Sequence, residues 1–132
     1  MIVLDTHALV WWVGEDRRLG KAARNAIDSS MAAGEAVLVS AISAWEVGML
    51  VRRGRLALSM PVEEWLLAVQ SLEGVSIIPI SAEIAVQSAN LPGEFHQDPA
   101  DRMIVALARE RNASLLTADE KIHRYPHVRC SW

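Results

Sequence analysis

The chain has 132 residues, 52% of them hydrophobic, a formal net charge of −3 and one cysteine. This length is typical of one domain, here residues 1–132, and the apolar content is sufficient for a packed core. The apolar runs are far shorter than the ~18–20 residues of a membrane span, and Cys130 has no partner for a disulfide. We therefore expect a cytoplasmic protein without a membrane segment.

The first segment predicts a buried strand that ends at an acid. Residues 1–4 are all apolar, as in a strand covered on both faces of a parallel sheet, and Asp5 follows directly. The carboxyl ends of such strands open onto the crevice where ligands bind, so Asp5 is well placed for chemistry. The alternative is that Asp5 only caps a helix that begins near Thr6.

The next elements alternate between helix and strand. A short buried helix is expected to end at Gly14. An amphipathic helix over 19–31 and a second buried strand over 36–39 should follow.

Glu46 lies in the helix after that strand, which begins at Ser40 or Ser43. The segment from Ser43 to Glu46 matches a capping box, in which the acid bonds back to the first helical amide. Glu46 also shares the apolar stripe of Ile42 and Met49, and a charge on a buried face needs a partner. Both interpretations stay open from the sequence.

The second half of the chain repeats the alternation. A helix over 62–72 leads to a third strand over 75–80, and a helix capped by Ser81 extends to residue 90. An apolar helix over 103–111 then precedes a fourth strand over 113–117, and a last edge strand is expected over 128–130.

Three further acids lie near the helix over 103–111 and the strand over 113–117. Asp98 reads as an N-cap, with Pro99 and Asp101 in the first turn. Capping accounts well for Asp98 and less well for Asp101, which shares a face with apolar residues. The pattern from Thr117 to Glu120 is again that of a helix cap, which leaves Asp119, directly after a strand, without a structural role.

These acids are expected to meet. Strands that alternate with helices predict a parallel sheet, whose strand ends lie on one edge. Asp5, Glu46, Asp101 and Asp119 therefore converge there and would repel one another strongly at low dielectric. A divalent cation relieves this repulsion. Oxygen ligands without cysteine or a histidine pair favour Mg²⁺ or Mn²⁺ over Zn²⁺, and such a site suits phosphodiester hydrolysis.

Other side chains could assist at this edge. The hydroxyls of Thr6 and Thr117 could orient water or a ligand, or could serve only as caps. Basic residues near the edge could hold a polyanion or could form solvated helix faces. The candidates for RNA binding are Arg52, Arg53, Arg55 and Arg102.

Four short segments, in this order over so short a chain, resemble the PIN-domain ribonucleases, specifically the VapC toxins of prokaryotic toxin–antitoxin pairs. The segments are Ile2 to Leu9, Ser43 to Glu46, Asp98 to Arg102, and Leu116 to Asp119. The resemblance implies a three-layer α/β/α fold with a central, mostly parallel sheet of four to five strands. It also implies an Mg²⁺- or Mn²⁺-dependent endoribonuclease that acts on tRNA or other structured RNA, a cognate antitoxin that keeps it inactive, and a homodimer.

By position, the catalytic and metal-binding acids of that family fall on Asp5, Glu46, Asp101 and Asp119, with Asp98 as an additional acid. Two alternatives compete with a toxin. One is a housekeeping PIN nuclease that has no antitoxin. The other is a non-catalytic protein-binding α/β module whose tryptophans form a partner groove; these are Trp11, Trp12, Trp45 and Trp65.

Overall fold

The computed structural model describes residues 1–132, in which five strands and seven helices alternate. The strands are β1 (Ile2–Leu4), β2 (Val37–Ser40), β3 (Val75–Ile78), β4 (Ser114–Leu116) and β5 (Cys130–Ser131). The helices are α1 (Thr6–Val13), α2 (Lys21–Ala32), α3 (Ala41–Arg52), α4 (Val62–Gln70), α5 (Ala82–Ala89), α6 (Pro99–Glu110) and α7 (Glu120–His123). No helix is both long enough and apolar enough to cross a bilayer.

The sheet is parallel throughout, in the order β3-β2-β1-β4-β5. In this register Leu4 lies opposite both Val39 and Leu116, so β1 and β4 end at the same level and β2 ends one residue later. The residues that follow these strands therefore share one edge of the sheet. The prediction of a mostly parallel sheet of four to five strands is confirmed.

Successive residues of the central strands face opposite sides, as the two-residue repeat of a strand requires. Leu4 packs into a core with α1, α2 and α4, whereas Val3 packs into a second core with α5, α6 and α7. Each of the two clusters contains 13 buried residues. Helices thus cover both faces, which gives the predicted three-layer α/β/α architecture.

Helix α3 bridges the two layers. Its Val47 belongs to the first core, and its Ile42 packs against the second. The helix follows β2 without a loop, because Ser40 both ends the strand and caps the helix. As a result, α3 starts at the edge where the central strands end and carries Glu46 to it.

Several predicted boundaries are wrong by a few residues. The second helix begins at Lys21 instead of residue 19, with Gly20 as its cap. The third strand ends at Ile78, because Pro79 has no amide hydrogen to continue the ladder. The last strand is Cys130–Ser131, which begins two residues later than expected.

Arg102 binds backbone carbonyls of the protein, a structural role that differs from the predicted contact with RNA. Its guanidinium donates to four backbone carbonyls, two at the end of α5, Ser88 (2.8 Å) and Ala89 (3.3 Å), and two in the loop before α6, Phe95 (3.0 Å) and His96 (3.2 Å). A guanidinium used in this way has little capacity left for a phosphate, because its five donors lie in one plane. Arg102 therefore fixes the loop that leads into α6.

We expect Arg102→Lys to destabilise the fold by about 1–3 kcal/mol, because one ammonium cannot reach carbonyls spread over this loop and leaves some of them unpaired. Urea unfolding followed by circular dichroism would measure the change. Arg24→Lys is the matched control, since Arg24 is exposed on α2. Equal stability of the two variants would contradict the structural role of Arg102.

Candidate active site

Asp5 lies at the end of β1 and is buried, with 7% of its surface exposed. Its Oδ1 accepts from the Thr6 amide at 2.7 Å, so Asp5 does cap α1. Its Oδ2 accepts from Thr117 Oγ1 at 2.6 Å, across 112 residues of sequence. Asp5 thus caps a helix and also lies at the end of β1, where a role in chemistry was predicted. Both are possible because the cap uses only one of the two carboxylate oxygens.

Glu46 is not part of a capping box, and that interpretation is wrong. The N-cap of α3 is Ser40, whose Oγ accepts from the Ile42 amide at 3.2 Å, and Ser43 therefore lies within the first turn of the helix. The Glu46 Oε1 instead accepts from Thr6 Oγ1 at 2.5 Å, and Thr6 Oγ1 also lies 2.8 Å from Ser43 Oγ. Thr6 therefore links the Glu46 carboxylate to the start of α1.

The acids at the start of α6 divide as predicted. Asp98 is the N-cap, and its Oδ2 accepts from the Asp101 amide at 3.0 Å. The side chain of Asp101 is only 16% exposed, and its Oδ2 lies 3.0 Å from Nε2 of His96. Asp101 therefore turns inward, whereas Asp98 has a structural function at the helix start.

Asp119 proves to be the N-cap of α7, because its Oδ1 accepts from the Lys121 amide at 2.9 Å. The prediction that Thr117 and Glu120 form this cap is wrong. Thr117 Oγ1 accepts from the Asp119 amide at 3.0 Å while it donates to Asp5. The Thr117 hydroxyl thus connects the carboxylate of Asp5 to the backbone of Asp119.

One cavity of about 420 Å³ collects these acids. Its walls contain five carboxylates and no lysine or arginine. The lining residues are Asp5, His7, Trp11, Glu46, Asp98, Asp101, Ala118 and Asp119. The four acids predicted to converge, together with Asp98, therefore line one space.

Burial and mutual repulsion change the acidity of these groups. Burial raises the pKa of Asp101 to about 8, and the charges of Asp5 and Asp98 add to this effect. Burial likewise raises the pKa of Glu46 and of Asp5, although hydrogen bonds from Thr6 and Thr117 offset part of the rise. The cavity thus opposes the ionisation of these three acids, and a bound cation would relieve this effect.

No catalytic or metal-binding role was predicted from the sequence for three residues at this site. His7 and Trp11 line the cavity, and His96 lies against Asp101. His7 follows Asp5 by two positions and His96 precedes Asp98 by two, so proximity to a predicted acid was the available signal. A histidine near a predicted acid can also face solvent, and the sequence does not distinguish the two orientations.

A second, more apolar groove of about 450 Å³ adjoins the cavity, and Glu46 and Asp98 line both. Arg53 lies on its wall, and Trp45 is 58% exposed there. The other lining residues are Ile42, Met49, Leu50, Pro99 and Ala100. The groove therefore places a cation and an aromatic ring next to the acids.

Comparisons with known proteins agree with this architecture. A sequence model of the PIN domain matches residues 2–128. The chain belongs to the PIN-domain family. Within this family it is 36% identical over 133 aligned residues to Ribonuclease VapC22 of Mycobacterium tuberculosis (strain ATCC 25618 / H37Rv), with 99% of this chain and 98% of the relative covered. The predicted family resemblance is thus confirmed, and the chain is a VapC-type PIN domain.

Solved structures share the fold of this PIN domain at low sequence identity. VapBC2 from Rickettsia felis, bound to a DNA fragment from its promoter, superimposes with a TM-score of 0.71 and 21% identity, covering 99% of this chain and 98% of that one. A toxin–antitoxin complex from Klebsiella pneumoniae gives 0.66 and 23%, covering 97% and 95%. VapC20 of M. tuberculosis, described as a sarcin-ricin loop cleaving toxin, gives 0.62 and 20%, covering 98% and 99%.

The raised pKa of Asp101 predicts how the stability of the metal-free PIN domain depends on pH. Between the ordinary carboxyl pKa of 3.8 and the folded value of about 8, the folded protein holds a proton that the unfolded chain has released. Stability must therefore fall as pH rises through this window. We expect Asp101→Asn to remove this loss and to stabilise the metal-free protein at pH 9 by roughly 1–2 kcal/mol, a value reduced for partial solvation.

Chemical unfolding in the presence of a chelator at pH 5 and pH 9 would measure the effect. Asp28→Asn is the matched control, because Asp28 is exposed on α2. If Asp101→Asn gave no more stability at pH 9 than at pH 5, the raised pKa of Asp101 in the folded protein would be contradicted.

Proposed function

We propose that this chain is a divalent-cation-dependent endoribonuclease that acts as the toxin of a toxin–antitoxin pair. The observation that carries the proposal is the cavity with five carboxylates and no basic side chain. Such a concentration of carboxylates without a basic partner is unfavourable for stability and favourable for holding a cation. The match to Ribonuclease VapC22 supports the choice of RNA as substrate.

The donor set of the cavity fits Mg²⁺ or Mn²⁺. Both ions take carboxylate oxygens, and the raised pKa values of Asp5, Glu46 and Asp101 indicate that burial disfavours their charged forms in the absence of a cation. We assign Asp5, Asp101 and Asp119 as the residues that would hold the ion, with Glu46 as a fourth acid. When bound, the cation would polarise the scissile phosphate and make water easier to deprotonate.

The surrounding residues hold these acids in place. Thr117 donates to Asp5 and accepts from the amide of Asp119, so one hydroxyl sets the relative position of two acids. Thr6 donates to Glu46, which keeps that carboxylate directed towards the start of α1. Glu46 is thereby positioned to accept a proton from an attacking water molecule, and its raised pKa suits that role.

Three exposed arginines extend from this edge and are proposed to bind the RNA backbone. Arg52, Arg53 and Arg55 lie at the end of α3 and just beyond it, and none forms a salt bridge or a side-chain hydrogen bond. Arg53 lines the groove that adjoins the acids. Free guanidinium groups beside a nuclease cavity can neutralise the phosphates on either side of the scissile bond. Because Arg102 is bound to carbonyls, we leave it out of this surface.

A structured RNA such as tRNA is the proposed substrate class, and an antitoxin is the proposed partner. VapC20 is described as cleaving the sarcin-ricin loop, and several structural neighbours are toxin–antitoxin complexes. The exposed apolar groove with Trp45 offers a surface for a protein partner or for a nucleobase. A homodimer and a location in the cytoplasm complete the proposal.

We expect Asp5→Asn and Asp101→Asn each to lower the rate of RNA cleavage by about 10²-fold or more, since each removes a charged ligand of the cation. Cleavage of an RNA pool would be measured after chelation and return of Mg²⁺ or Mn²⁺. Asp28→Asn, an exposed acid outside the cavity, is the matched control. Full activity of either cavity variant would refute the assignment of the acids.

The toxin role has its own readout. Induction of the wild-type chain should arrest growth, Asp5→Asn should not, and co-expression of the cognate antitoxin should restore growth. Cleavage of RNA in vitro without growth arrest would favour a housekeeping nuclease.

We expect the triple variant Arg52→Ala, Arg53→Ala, Arg55→Ala to bind RNA more weakly and with a shallower salt dependence. The slope of log affinity against log salt should fall by about 0.7 for each phosphate that the variant no longer neutralises. Fluorescence anisotropy over a salt series, without divalent cation, would measure this slope. Arg24→Ala, an exposed arginine of α2, should leave the slope unchanged, and an unchanged slope in the triple variant would exclude these arginines from the RNA surface.

A further inference from the structure

His96 contains the one buried side-chain nitrogen or oxygen atom in the structure that lacks a hydrogen-bond partner, its Nε2. Buried polar atoms are almost always paired, because an unpaired one loses its hydration without compensation. An exception therefore needs an explanation. Its location provides one, because the atom lies against Asp101, a residue that lines the acidic cavity.

The contacts of Nε2 are those of a ligand without its ion. The atom lies 3.0 Å from Asp101 Oδ2, yet the contact does not have the angle of a hydrogen bond. One ligand atom from each of His96, Asp101 and Asp119 can be chosen so that all three lie within 4.8 Å of one another. A nitrogen and two carboxylate oxygens thus lie close enough together to be candidate ligands of one ion.

The 3.0 Å separation of Nε2 and Oδ2 also has the right size for two ligands of one ion. Ligands at right angles on an octahedral cation with bonds of ~2.1 Å lie ~3.0 Å apart. Two such atoms direct their lone pairs at the ion and not at each other. This accounts for a short contact that is not a hydrogen bond.

The ring of His96 is held in this position by its surroundings. It packs on the ring of Phe95, with 4.4 Å between the ring centroids, and the carbonyls of both residues accept from Arg102. The side chain is 25% exposed, so a wall of protein covers most of it. A ligand whose orientation is fixed before binding loses little entropy when the ion arrives.

We propose that His96 is a nitrogen ligand of the cation in the acidic cavity and makes the site prefer Mn²⁺ to Mg²⁺. Magnesium takes oxygen ligands almost exclusively, whereas imidazole nitrogen suits the transition metals. This inference rests on the proposed function, because it concerns the ion of the same cavity. It adds a residue outside the acidic set and a metal selectivity that carboxylates alone do not supply.

The test measures metal binding in the absence of RNA. Calorimetry with MnCl₂ and with MgCl₂ would give both affinities for the wild type, for His96→Gln and for His127→Gln, a control at an exposed histidine that does not line the cavity. We expect the wild type to bind Mn²⁺ at least tenfold more tightly than Mg²⁺. The His96→Gln variant should lose about tenfold in Mn²⁺ affinity and little in Mg²⁺ affinity, and the control should match the wild type.

Pulsed electron paramagnetic resonance of Mn²⁺ bound to the wild type adds a measurement that needs no variant. It should detect a nitrogen coupled to the metal. That signal should disappear in His96→Gln and persist in His7→Gln, which removes the other histidine near the cavity.

Each other outcome has a definite meaning. Absence of nitrogen coupling in the wild type would overturn the proposal. Equal losses of Mn²⁺ and Mg²⁺ affinity in His96→Gln would overturn it too, and would show that His96 only positions Asp101. If the wild type bound neither ion, the proposed function would be wrong in assigning a cation to this cavity. If the wild type bound Mn²⁺ through nitrogen but cleaved no RNA, only the nuclease proposal would be wrong.

Discussion

Burial of carboxylates at the carboxyl edge of the sheet, reinforced by their mutual repulsion, is the constraint on which the rest of the structure depends. Asp5 is almost fully buried, and Asp101 is so disfavoured as an anion that its pKa rises to about 8. The fold tolerates this arrangement because Thr6 and Thr117 donate hydrogen bonds to the Glu46 and Asp5 carboxylates. Two neutral hydroxyls hold the charges in place without neutralising them, which leaves the cavity available to a cation.

The framework and the convergence of the acids were predictable because they follow from the order of the elements. Alternating strands and helices imply a parallel sheet, and a parallel sheet brings strand ends to one edge. Asp5 directly follows β1, and Asp119 lies three residues after the end of β4. These positions were sufficient to predict that the two acids lie close together. Asp98 and Asp101 were separated correctly into a cap and an inward acid, because proline at the first helical position fixes the helix start.

The local interpretations that failed involve polar side chains with several possible partners. Ser43 and Glu46 have the spacing of a capping box, but the preceding strand continues to Ser40, which caps the helix first. Thr117 has the spacing of a cap as well, but its hydroxyl is used by Asp5, a residue 112 positions away. His96 and Arg102 acquire their roles from the loop between α5 and α6, whose path no sequence periodicity specifies.

The central claim is that Asp5, Asp101 and Asp119 share one divalent cation. The most direct measurement is the anomalous difference density of crystals grown with MnCl₂, because it locates the metal independently of any assumed ligand. The account predicts a single strong peak in the acidic cavity, within about 2.0–2.3 Å of carboxylate oxygens from these residues. A cavity without a peak at saturating Mn²⁺, or peaks only at exposed surface acids, would contradict it.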